Sequence, residues 1–177
     1  MAKDPRIDEC IKSGRDPIHF INTHVKIAHP ILGTIPFNCF PFQEESIKYF
    51  QEHRFNIILK SRQLGISTVT AAYALWLAIF YSNKNILILA TKRDIAMNLI
   101  DKVKTMLQNL PTYLLLKGIK SETKQQICFE NGSIIKAIGT SDDSGRSEAL
   151  SLLIVDEASF IKNFDKLWTG LQPCLST

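Results

Sequence analysis

No two of the four cysteines, Cys10, Cys39, Cys128 and Cys174, stand close enough to form a CxxC pair. Their spacing argues against a zinc knuckle or a disulfide framework and fits a reducing cytoplasm. The charged opening Met-Ala-Lys-Asp-Pro-Arg is followed by no apolar core, so a secretory signal is not expected. The longest apolar run, 69–81, falls short of the roughly 20 residues that span a bilayer and reads instead as a buried helix. A strong excess of one charge sign is also lacking, with 21 Lys and Arg against 17 Asp and Glu. The net +4 permits contact with a polyanion without requiring one. His19, His24 and His29 recur every five residues, which does not return to one helical face. No cysteine or carboxylate cluster completes a metal site with them, so none is expected there. Internal repeats and low-complexity tracts are also missing.

What is present is an ordinary globular composition, 45% hydrophobic and 21% charged over 177 residues, enough for one domain with a buried core. Residues 1–41 are punctuated by Pro5, Pro17, Pro30, Pro36 and Pro41, with Gly14 and Gly33 between them. They read as an irregular arm with short strand-like pieces such as 24–28, laid over a core that begins at residue 42 and runs to 177. Helical spacing then predicts helices over 43–53, 68–81 and 92–110. The apolar runs 55–60 (FNIILK), 86–90 (ILILA) and 150–155 read as buried strands. Residues 127–130 and 133–138 flank Asn131-Gly132, a hairpin signal that suits a type I′ turn. Buried strands alternating with helices imply an α/β fold with a mainly parallel, doubly wound sheet.

Two segments carry chemistry. The first is a strand, a polar loop at 61–67 containing Gly65, and a helix opening on Ser67-Thr68. That is the layout of a P-loop, where backbone N–H groups and a helix N-terminus attract phosphate and a hydroxyl can ligate Mg²⁺. Against the pattern G-x-x-x-x-G-K-[ST], Gly65 and Ser67 fit, but Lys60 occupies the first glycine position and Ile66 the lysine position. Lys60 or Arg62 is long enough to return a positive charge over the phosphates. The second segment is the strand ending on Asp156-Glu157. Strand C-termini face the ligand crevice in such folds, so the first acid would hold Mg²⁺ and the second would polarise the attacking water.

Together these segments resemble the large terminase subunit of tailed bacteriophages, in particular its T-even-like group. Phe42-Gln43, eighteen residues before Ser61, is similar to that family's adenine-recognising glutamine motif. Ser61-Arg62-Gln63-Leu64-Gly65 resembles its phosphate loop, and Ser144-Gly145-Arg146-Ser147 its arginine-bearing stretch. Residues 152–160 (LLIVDEASF) resemble its acidic strand, and Trp168 with Gln172-Pro173 the stretch after it. Ile66 departs from the family's lysine, and Lys60 fits a displaced position for that charge.

The resemblance implies a P-loop ATPase of the ASCE type that uses Mg²⁺ and ATP to drive double-stranded DNA into a procapsid. Its expected setting is the cytoplasm of an infected bacterial host. The partners it implies are the portal protein, a small terminase subunit and further copies in a ring, with no membrane involved. The implied site comprises Gln43, Ser61, Gln63, Gly65, Ser67 and Thr68 for nucleotide, and Asp156 with Ser67 for metal. Glu157, Lys60, Arg62 and Arg146 are the catalytic candidates. Thr177 precedes the family's coupling motif and nuclease domain, so a sheet short of one strand and slow turnover by the chain alone are expected. Two other readings remain open at this stage: a helicase-type translocase, and a nucleotide-binding assembly module that has lost turnover with Ile66.

Overall fold

The computed structural model describes residues 4–140 and 149–175. Its first 41 residues are more regular than their prolines promised. Pro5 and Pro17 each occupy the first turn of a helix, α1 (Pro5–Arg15) and α2 (Pro17–His24), where a missing N–H costs nothing. Asp4 and Asp16 cap them, the Asp16 carboxylate accepting from the N–H groups of Ile18 and His19. Residues read as breakers therefore act as helix starters. A short antiparallel hairpin follows, β1 (Lys26–His29) and β2 (Gly33–Pro36). Between the two helices the carboxylate oxygen Oε1 of Glu9 lies 2.7 Å from His19 Nε2 and 2.8 Å from His24 Nε2. A carboxylate thus does reach two of the three evenly spaced histidines, from an earlier helix that sequence spacing did not connect to them. His24 foremost, then His19 and Ser13, hold the Glu9 carboxyl down at about 2 against the opposing effect of burial.

Helix α3 (Pro41–Glu52) and the loop after it lead into α4 (Ile66–Phe80), which is apolar nearly all round. Such a helix belongs inside. Val69, Ala71, Ala72, Ala74, Leu75 and Ala78 are fully buried, between the arm on one side and the sheet and α5 on the other. Burying a side chain the size of Leu75 stabilises the fold by about 1.5–3 kcal/mol. Trp76 fixes the arm to this helix by donating its indole N–H to the Ser13 carbonyl at 2.9 Å.

The sheet contains β3 (Asn85–Ala90), β4 (Ile119–Glu122), β5 (Gln126–Phe129), β6 (Ile134–Gly139) and β7 (Leu152–Val155), in the order β4-β5-β6-β3-β7. Strand β3 is central, parallel to both β6 and β7, and buried on both faces. Its Ile86, Ile88 and Ala90 join the core with α4 and α5 (Arg93–Gln108), while Leu87 and Leu89 meet Leu167 and Leu171 of α6 (Phe164–Leu171). Strands β4 and β5 are antiparallel, so the sheet is mixed rather than mainly parallel. The Asn-Gly hairpin forms, with a different turn. Gly132 alone is left-handed (φ +84°), and its N–H bonds the Phe129 carbonyl, which is a type I turn closed by a bulge. Asn131 is not among the positive-φ residues, and its side-chain amide donates to the Ala78 carbonyl at the end of α4.

The apolar run 55–60 is not a strand. It pairs with no strand among the described residues, and Ile57 and Leu59 are 99% and 102% exposed. Strand β7 is likewise half-buried along its length, as an edge strand is, instead of fully buried. Apolar β-branched composition favours a strand only where a partner backbone accepts its hydrogen bonds. Here the partner is missing, and the segment is anchored by Phe55 against Trp168, ring centroids 5.8 Å apart. No helix among the described residues is long and apolar enough to cross a membrane.

Candidate active site

The loop entering α4 is built around Gly65, whose φ of +69° is the left-handed conformation a glycine adopts without penalty. Gln63, at φ +63°, is left-handed as well. Gly65 serves as the N-cap, its carbonyl accepting from Thr68 and Val69. First-turn N–H groups of an α-helix have no acceptor within the helix, so this corner presents positive partial charge.

Beneath the loop lies Gln43, which is 1% exposed. Its Oε1 accepts the Phe40 N–H at 2.9 Å, closing the start of α3, and its Nε2 donates to the Leu64 carbonyl at 2.9 Å. A Cβ on residue 65 would meet that same Nε2 at 2.7 Å. The glutamine expected at a base is thus engaged in bracing the loop before α4.

Strand β7 brings the second half of the site. Asp156 follows it, hydrogen-bonded through its N–H to the Leu89 carbonyl, and its Oδ2 accepts the Ser67 hydroxyl at 2.9 Å across 89 residues of sequence. The helix opening and the acidic strand end therefore meet. Around them lies an open cleft of about 360 Å³, lined in part by Lys60, Gln63, Gly65, Ser67, Thr68 and Asp156. This is within the range of small-ligand pockets. Ile66 is 6% exposed and packs at the cleft's inner wall.

Other expected residues lie outside that lining. Ser61 and Arg62 are exposed on the loop. Glu157 is exposed and left-handed at φ +54°, a conformation uncommon for a residue with a side chain and one that concentrates at functional sites. Arg146 falls outside the described residues.

Two residues were missed by the sequence reading. Asn98 and Lys102, one helical turn apart on α5, line the same cleft as Lys60, and the Lys102 ammonium donates to the Thr68 hydroxyl at 3.3 Å. Their signal was available as an i, i+4 polar pair beside the apolar stripe of Ile95 and Leu99. A second cleft of about 430 Å³ adjoins the first and shares Thr68, Asn98 and Lys102 with it.

Comparison with known proteins bears on the family and the fold. Residues 57–176 match the family model described as terminase large subunit, T4likevirus-type, N-terminal. The fold is similar to the crystal structure of the HK97 bacteriophage large terminase, with a TM-score of 0.71 and 20% sequence identity. The match covers 90% of this chain and 35% of that one, so the present chain spans about a third of the length of that relative. With the family model covering more than half of its length, this chain belongs to the T4likevirus-type terminase large subunits, of which it represents the N-terminal region.

Proposed function

We propose that this chain is the ATP-hydrolysing part of a DNA-packaging motor, with its reaction centre in the cleft between the phosphate loop and the end of β7. The observation that carries this reading is the 2.9 Å hydrogen bond between Ser67 and Asp156. It joins a hydroxyl at a helix start to a carboxylate at a parallel strand end, in a cleft that Gly65 of the loop also lines. Hydroxyl and carboxylate oxygens are the donors Mg²⁺ prefers, so these two residues fit the ion and would hold it. Once bound, Mg²⁺ would offset the charge of the transferring phosphoryl group.

The remaining roles follow from the chain's own groups. The α4 amides and the loop backbone bind phosphate oxygens. Lys60 from the loop base and Lys102 from α5 neutralise them, replacing the lysine that Ile66 displaces. Glu157 accepts a proton from the attacking water. Arg62 and Arg146 stabilise the charge of the transition state, one in cis and one from a neighbouring copy. Gln43 couples adenine occupancy to the loop through its bond to Leu64. Turnover would then drive double-stranded DNA through a portal into a procapsid. A ring of copies and a small terminase subunit would complete that assembly.

Asp156→Asn tests the core of the proposal. It should weaken binding of a fluorescent ATP analogue in the presence of Mg²⁺ by at least about tenfold, and change binding little in its absence. Undiminished Mg²⁺-dependent binding would remove Asp156 from the site.

A further inference from the structure

The arm carries a convergence of ligand atoms that the packaging reading does not use. Glu9 on α1 and His19 and His24 on α2 bring one oxygen and two ring nitrogens within 4.8 Å of one another. The two helices are joined only through Asp16, so the cluster forms at the mouth of a tight helical hairpin. Its side chains are shielded but reachable, with exposures of 27%, 17% and 7% for Glu9, His19 and His24. The rings of His19 and His24 stand perpendicular, their centroids 6.2 Å apart.

We infer that Glu9, His19 and His24 form a site for a divalent transition-metal ion of the zinc type. Two imidazole nitrogens and one carboxylate oxygen are the donor set of open zinc sites, leaving a fourth position for water. They are a poor set for Mg²⁺, which prefers oxygen. At metal–ligand distances of about 2.0–2.1 Å, tetrahedral donors stand roughly 3.3 Å apart. The present 2.7 and 2.8 Å contacts therefore need only a small outward movement of each ring. Both histidines must then present a bare Nε2, which places their proton on Nδ1. For His19 that nitrogen already has an acceptor 3.4 Å away in the Thr23 hydroxyl, while Ser13 donates to Glu9 at 3.0 Å. Supporting bonds of this kind orient metal ligands.

The ion would clip α1 to α2. Ser13, one turn beyond Glu9, accepts from Trp76 in α4, the helix that begins with the phosphate loop. The clip would therefore stiffen the seat of the candidate active site without taking part in it.

Co²⁺ titration of chelator-treated protein, followed by visible absorption, reads the site directly. One Co²⁺ per chain with the intense bands of tetrahedral coordination is expected, displaced by Zn²⁺ and unaffected by Mg²⁺. Glu9→Gln and His19→Gln, which keep side-chain bulk, should each weaken binding by at least about tenfold. His29→Ala and Asp156→Asn should leave it unchanged, with circular dichroism confirming that every variant is folded. Absence of stoichiometric binding overturns the inference and leaves a hydrogen-bonded helix clasp. Binding that survives both ligand substitutions, or that is lost in Asp156→Asn, overturns it as well.

Discussion

The side-chain nitrogen of Gln43 lies 2.7 Å from where a Cβ on Gly65 would stand, closer than a Cβ tolerates, and is itself tied to the Leu64 carbonyl. One buried amide thus crowds out a side chain at a position whose left-handed φ of +69° already favours glycine. Gly65→Ala must either displace Gln43, losing a hydrogen bond worth about 1 kcal/mol, or distort the loop. It also adds about 1–2 kcal/mol of left-handed strain. Affinity for an ATP analogue should fall at least about tenfold while the far-ultraviolet spectrum is retained. Unchanged affinity would show that the loop does not depend on this contact.

Lys60 and Lys102 line one cleft, and Ile66 contributes no charge to it. Each should therefore carry part of the phosphate interaction. Lys60→Ala and Lys102→Ala are expected to weaken ATP binding separately by about 1 kcal/mol or more, and AMP binding little, because the lost charge acts on the terminal phosphates. Isothermal titration with both nucleotides reads the difference. Equal losses for ATP and AMP would assign these lysines to general electrostatics.

The exposed run 55–60 gives an opposite kind of test. Ile57→Lys and Leu59→Lys should change the stability of this chain by no more than about 0.5 kcal/mol in urea melts, because neither side chain is buried. Costs of several kcal/mol would mean that the segment is a core strand after all.

The contrast between 55–60 and 86–90 shows where sequence pattern succeeds and where it stops. Both runs are apolar and β-branched. The second forms β3, flanked by β6 and β7, whereas the first has no partner among the described residues. Composition reports a preference, but pairing depends on what stands alongside. The helices α3, α4 and α5 were legible because their apolar spacing is long and regular. The arm was misread because Pro5 and Pro17 look like breakers until Asp4 and Asp16 are recognised as caps. Within the site, Ser67 and Asp156 were visible through motif spacing, and their contact follows from the parallel β3–β7 pair. Lys102 showed in the sequence only as half of a polar pair with Asn98, since the packing of α5 beside α4 is what brings it to Thr68. The Glu9 cluster was hidden for the same reason: histidine spacing within α2 says nothing about a carboxylate on α1.

Under the proposed function, the cleft at Ser67 and Asp156 hydrolyses ATP with Glu157 as the base. Single-turnover phosphate release, with protein in excess over ATP and Mg²⁺ present, tests it most directly because even a slow reaction is readable. Glu157→Gln keeps the shape of the side chain but cannot accept a proton. It should bind ATP within about threefold of the parent chain and release phosphate at least about 100-fold more slowly. Phosphate release at the parental rate by Glu157→Gln would contradict the account.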